Sequence, residues 1–314
     1  MLNLFYKYPI VGWLLAGFGV LYLLDKYVGF SPIDNLINRV GKYKFKMFSH
    51  LNNPKLKQLI DYFNKKQFSN VEQTLKHMNP SYRAFGFKCL GQYGDLDISE
   101  EWIIKQPDND LAKIIKGYQL IHKAWEIRGR GTIDTVSNQN QIAFKKHLKQ
   151  AEVILKDTYK SSNDFHTNIV SSLIKICKAI DVNREEVHQL FKEALQLNPN
   201  DAELHFNYFA FIAPKWGGTE DELNEYLNSL NSNSPFIQDL ILAQYYFDLE
   251  YINDYKDDDL QIKKFIESIK DKTYPEDELY QYELYLILYW TSSNLNYKDL
   301  AAHYKALVEP FWED

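Results

Sequence analysis

The sequence predicts an all-α protein, an irregular tetratricopeptide-like solenoid of stacked helical hairpins with a transmembrane helix at its N-terminal end. Three observations predict it: an uncharged apolar run near the start, N-capping signals that recur through the remainder, and two helical segments whose apolar spacing matches a repeat.

The apolar run "YPIVGWLLAGFGVLYLL" carries no charge from Tyr8 to Leu24, and apolar character resumes after Asp25 and Lys26 in "YVGF". One helix over residues 9–30 would span roughly 33 Å at about 1.5 Å per residue, enough for a bilayer core. Tyr8, Trp13, Tyr22 and Tyr27 suit the two interfaces. No small-x-small pair stands where a signal peptidase would cut, so the segment reads as a retained membrane anchor. Lys7 precedes it, whereas Lys26, Arg39, Lys42, Lys44 and Lys46 follow. That excess leans the body toward the cytoplasm, with a periplasmic body as the alternative.

The body begins with "SPIDNLINRV", where Ser31 is an N-cap with Pro32 at the first helical position. "SNVEQTL" reads as a capping box of Ser69 with Glu72. Further starts are expected at "SEEW" (99–102), "DNDLAKII" (108–115), "NREEVHQLF" (183–191), "TEDELNEYL" (219–227) and "PEDELYQYELYLILYW" (275–290). Acidic residues crowd these first turns, where the helix dipole favours them. In "EVHQLFKEALQLNPNDAELHFNYF" small or apolar residues stand at Val187, Phe191 and Ala194. Pro199 then ends the pair and Asp201 caps the next helix. "FKKHLKQAEVIL" repeats the spacing at Phe144, Leu148 and Ala151. The chain divides into the anchor (1–30), an N-terminal helical region (31–109), a repeat-like core (110–232) and an aromatic-rich C-terminal region (233–314).

Composition removes several function classes. A net charge of −6 provides no basic face for nucleic acid. Cys89 and Cys177 form neither a disulfide framework nor a zinc site and read as small buried residues. Glu185 and His188 share a helical face, yet a di-iron bundle needs that motif twice. No phosphate loop, His-Glu-x-x-His or nucleophile elbow is present, so no metal, cofactor or catalytic residue is assigned and no enzymatic activity is expected.

Two phrases carry a family resemblance. "AWEIRGRGTIDTV" (124–136), "FKKHLKQAEVIL" (144–155), "FKEALQLNP" (191–199) and "APKWGG" (213–218) resemble, in order and spacing, the bacterial domain-of-unknown-function 4034 family over about residues 110–228. The resemblance implies a tetratricopeptide-like helical fold without an assigned activity. It also implies a bacterial source, and with the anchor an inner-membrane location.

"PKWGG" and "WEIRGRG" have a structural reading as helix ends: Pro214 stops one helix, Gly217 and Gly218 close the turn, and Thr219 starts the next. Their functional reading is a pocket for an anion or a partner, built from Trp125, Arg128, Arg130, Lys215 and Trp216. In the C-terminal region Tyr280, Leu284, Ile287 and Leu288 form a core stripe. Tyr282, Tyr285 and Tyr289 form a second stripe offered as a contact surface. The expected function is a membrane-anchored adaptor that binds a protein partner on its curved inner face, as an accessory of envelope or secretion machinery. The alternatives are an immunity-type or regulatory protein sequestering one effector, and a ligand sensor or hydrolase using the Arg/Lys/Trp pocket.

Overall fold

The computed structural model describes residues 46–47, 52–129, 135–162, 164–180, 182–253, 259–274 and 278–313. The expected anchor at residues 9–30 and the helix start at Ser31 lie outside these. Among the described residues no helix is long and apolar enough to cross a membrane.

The fold is all-α. The described helices are α1 (Pro54–Asn64), α2 (Phe68–His77), α3 (Pro80–Tyr93), α4 (Leu96–Lys105), α5 (Asp110–Arg128), α6 (Asn138–Ser161) and α7 (His166–Cys177). They continue with α8 (Arg184–Leu197), α9 (Ala202–Ile212), α10 (Glu220–Ser229), α11 (Pro235–Asn253), α12 (Asp259–Ile269), α13 (Glu278–Asn294) and α14 (Lys298–Val308). A two-residue antiparallel ladder pairs β1 (Lys46–Met47) with β2 (Trp312–Glu313).

Side-chain capping explains many boundaries. The side chains of Asn53, Asn79, Asp95, Asn109, Ser137, Asn183 and Asp201 each accept a backbone N–H at a helix start. Thr219 and Glu222 form a complete capping box on α10. Two expected starts are corrected. Ser69 lies inside α2, whose N-cap is Gln67 and has no side-chain cap. Ser99 lies inside α4, buried, its single hydroxyl proton placed to donate to Gln119 Oε1 at 2.6 Å or to Leu96 O at 2.8 Å. The capping role there belongs to Asp95.

The helices alternate between two layers. The odd-numbered helices pack each on the next, from α1 through α3, α5, α7, α9 and α11 to α13, while the even-numbered helices cover them. This explains the burial patterns. An inner helix meets neighbours on several sides, so α5 buries Leu111, Ile114, Ile115, Tyr118, Leu120 and Ile121, more than one stripe of its surface. An outer helix meets the core on one side only, so α8 buries just Val187, Phe191 and Ala194, and α6 buries Phe144, Leu148 and Ala151 among its few core residues. These are the positions the repeat spacing marks. Each such valine, leucine or phenylalanine contributes about 1.5–3 kcal/mol.

The inner layer also touches itself: α3 packs against both α9 and α13. Phe85 of α3 meets Tyr280 of α13 edge-on at 4.9 Å, and Lys88 donates to Tyr280 Oη at 3.2 Å. The expected open inner face is therefore partly filled by its own helices. Helices of the three regions from 31 to 314 share one hydrophobic cluster.

Candidate functional site

Two places combine shape with chemistry. The first is where the "WEIRG" and "PKWGG" phrases meet. Helix α5 ends at Arg128, with Gly129 at φ 70° accepting the turn. Helix α9 ends at Ile212, and Pro214, Lys215 and Trp216 form one 3-10 turn closed by Gly217 at φ 86°. Gly218 has no room for a side chain, since a Cβ there would fall 1.7 Å from Ile212 O. Held this way, the Trp216 ring meets Trp125 edge-to-face, with centroids 6.1 Å apart at 87°. Phe144 of α6 packs on Trp125 at 5.1 Å.

The structure thus brings Trp125 and Trp216 together and places Arg128 over the Trp125 ring at 5.4 Å. It directs Lys215 elsewhere, into an ion pair with Asp248 of α11 at 2.7 Å. Arg130 lies outside the described residues. The residue that sequence reasoning missed is Lys178, the C-cap of α7, whose Nζ sits 5.4 Å from the Trp125 ring centre and 5.0 Å from that of Trp216. Burial, with Lys175 and Lys215 nearby, pushes its ammonium down to about 7. A lone lysine at a helix end carries no motif, so only the fold reveals it.

Beside this corner a half-open pocket of about 220 Å³ is lined by Lys88, Tyr118, His122, Trp125, Lys175 and Glu203, among others. Lys88 lies 3.7 Å from Glu203 Oε1, and Glu203 is 4% exposed. Burial raises the Glu203 carboxyl and lowers the Lys175 ammonium.

The second place is a groove over α5 between α4 and α6. Its apolar lining is Leu96 and Ile103 of α4, Leu120 of α5, and Val153 and Ile154 of α6. Two adjoining hollows of about 630 and 530 Å³ share Lys116, Val153 and Ile154. Val153 is 61% exposed although it sits mid-helix. Lysines rim the groove: Lys113, Lys116, Lys146, Lys149, Lys156 and Lys160. Lys116 pairs with Glu100, while Lys149 and Lys156 pair with Glu152. Lys113, Lys146 and Lys160 have no ion pair among the described residues. The sequence signal was an apolar Val153 off the Phe144, Leu148, Ala151 stripe, with Lys149 and Lys156 one helical turn to either side.

The C-terminal stripe needs correction. Tyr282 is 2% exposed and belongs to the core, because α13 is covered by α11, α12 and α14 and touches α3. Tyr285 and Tyr289 are half-buried, and Tyr304 lies 5.9 Å from Tyr285. The exposed aromatic of this helix is Trp290, at 48%. Tyr280, Leu284, Ile287 and Leu288 are all buried, as the core stripe requires.

His188 pairs with Tyr208 Oη at 2.8 Å and Glu222 Oε1 at 3.1 Å, not with Glu185. Glu222 also caps α10 and meets Arg184 at 3.3 Å, so this cluster ties α8 to α10. No group of three or more His, Cys, Asp or Glu able to hold a metal occurs among the described residues. No family model, no curated protein and no solved structure matches the chain.

Proposed function

We propose that the protein is a membrane-anchored adaptor, an α-solenoid that binds an acidic, amphipathic helical segment of another protein in the groove between α4 and α6. The single observation that carries this is a contiguous apolar floor with a rim of lysines, half of them without a carboxylate partner. From Lys146 to Lys160 the wall formed by α6 runs about 21 Å, at about 1.5 Å per residue, which suits a bound helix of about four turns. Apolar residues of the guest would cover Val153 and Ile154, and its carboxylates would meet the lysines. The chain as a whole is acidic, so this local reversal of sign is a selective feature. Residues 9–30 would hold the adaptor at the membrane, with the body on the cytoplasmic side. Binding, without a reaction, is the activity.

The test compares two synthetic amphipathic helical peptides with one apolar face and either a glutamate-rich or a lysine-rich polar face. Fluorescence anisotropy should show the acidic peptide binding and weakening with salt. The triple reversal Lys113→Glu, Lys146→Glu, Lys160→Glu should cost about tenfold or more in affinity, about 1.4 kcal/mol. Equal binding of both peptides, or an unchanged affinity in the triple variant, would contradict the proposal. An immunity-type role would appear instead as one stoichiometric partner whose affinity ignores the groove variants.

A further inference from the structure

Neither the groove nor the Trp125 and Trp216 corner accounts for the last hairpin, α13 with α14. In a stack of hairpins the end unit exposes a face that an inner unit would bury, and a polar surface there keeps it in water. Among the described residues no helix follows α14, yet its hairpin is not simply polar. Trp290 is 48% exposed, the one aromatic among the strongly exposed apolar side chains of the described residues. Its ring lies 5.1 Å from that of Tyr289. Tyr289, Ser293 and Asn296 share one face of α13, and Lys298, Ala302 and Lys305 share one face of α14 at the same spacing. The two rows line a shallow hollow of about 280 Å³. Lys298 has no ion pair among the described residues, and Lys305 has an exposed one with Glu309 at 3.9 Å, which holds it weakly. Asp299 follows Lys298 in the first turn of α14, so aromatic and lysine chemistry, not net charge, distinguishes this face.

The topology says what lies beside it. One 3-10 turn (Glu309–Phe311) separates α14 from β2, and β2 pairs with β1 in the register Lys46 to Glu313 and Met47 to Trp312. The chain therefore joins the described body at the α14 end, although β1 and β2 stand at opposite ends of the sequence. Fifteen residues, 31–45, separate the expected anchor at 9–30 from that ladder. Even fully extended they reach only roughly 50 Å.

We infer that the α13–α14 face rests on the bilayer that holds the anchor, with Trp290 and Tyr289 at the level of the headgroups and Lys298 and Lys305 extended to lipid phosphates. This rests on the anchor reading. Tryptophan and tyrosine favour that layer because each joins an apolar ring to a polar tip. A lysine stem lies along apolar surface while its ammonium reaches a phosphate. The small side chains of Ser293 and Ala302 leave the hollow open for a headgroup between the rings and the lysines. A body held by both tether and face cannot turn freely, so the α4–α6 groove is presented to its guest in one orientation.

The experiment uses the full chain in vesicles of phosphatidylcholine with phosphatidylglycerol. Ser293→Cys carries a nitroxide, and the native Cys89 and Cys177 are buried. Power saturation compares collisions of the label with oxygen, which concentrates in lipid, and with a water-soluble nickel chelate. At position 293 oxygen should dominate, whereas the same label on Leu260→Cys of α12, at a site 64% exposed, should meet the chelate freely. Trp290→Ala, and separately Lys298→Glu with Lys305→Glu, should return the 293 label to the chelate exposure of position 260 with Tm little changed. Lys113→Glu, Lys146→Glu, Lys160→Glu should leave the 293 label unmoved, which separates failure here from failure of the groove. A chain that floats with the vesicles yet keeps the 293 label in water would overturn this contact alone, and a chain that does not float would overturn the anchor and this contact together. Shielding from both probes would also overturn it, since a protein would then cover the face, as would variants that leave the label's depth unchanged.

Discussion

The sharpest consequence of the corner's geometry concerns two adjacent glycines that look interchangeable in sequence. Gly217 has φ 86° and open space around a hypothetical Cβ, so Gly217→Ala meets only the left-handed backbone penalty, about 1–2 kcal/mol. Gly218 differs. A Cβ there would lie 1.7 Å from Ile212 O and 2.3 Å from Ile212 C, backbone atoms that cannot rotate aside. Accommodating alanine must open the turn, losing the Gly218 N–H to Ala213 O bond of 3.3 Å and loosening those of Trp216 and Gly217. Overpacking strain of about 1–3 kcal/mol and about 1 kcal/mol for the lost bond give roughly 2–4 kcal/mol for Gly218→Ala. Urea unfolding of both variants measures the difference, and tryptophan emission reports whether Trp216 leaves Trp125. A Gly218→Ala cost no larger than that of Gly217→Ala would refute the reasoning.

Other outcomes follow from the same structure. Tyr282→Ala should cost about 3–5 kcal/mol, as for other large buried aromatics, and half-buried Tyr285→Ala distinctly less; chemical denaturation separates them. Burial opposes ionisation of Glu222 and Glu152, yet the Thr219 backbone N–H with Arg184, and Lys149 with Lys156, hold these carboxyls below 4.5. Their stabilisation is present above that value and is lost as pH falls through the lowered folded values. Glu222→Gln should flatten the acid limb of a stability-pH profile. Lys178 gives a slope of the same sign in a higher window: with its folded value near 7 against 10.5 unfolded, the unfolded chain binds more protons between these values. Stability should therefore rise from pH 7 toward 9, and Lys178→Met should remove that part of the rise.

What could be read from the sequence was what local chemistry decides. Thr219 with Glu222, Asn183, Asp201 and the stop at Pro214 act within one turn, and the structure keeps all of them. Ser69 with Glu72 offers the equivalent serine-to-glutamate spacing and fails. The left-handed Lys66, φ 57°, turns the chain early, and Phe68 enters the helix while stacking on Trp102 at 4.4 Å. A tertiary contact there overrides a local signal. Tyr282 was misplaced for a related reason: spacing reveals that α13 is apolar on two sides, but not that α3 and α14 cover them. Trp125 and Trp216 stand far apart in sequence, and their meeting depends on α5, α7 and α9 packing side by side. Lys178, between the two rings, had no signal at all.

The central claim is that the α4–α6 groove receives an acidic amphipathic helix. It is tested most directly by placing a photo-crosslinking residue at Val153 and, as a control, at Leu260 of α12, which is 64% exposed. The full-length protein is irradiated in its native cells and the attached peptide is sequenced. The account predicts an adduct from Val153 and none from Leu260, a captured segment with glutamate or aspartate beside an apolar helical face, and loss of that adduct when Lys113, Lys146 and Lys160 are all reversed to glutamate. A Val153 adduct that survives the reversal, a basic captured segment, or equal labelling from both positions would contradict it.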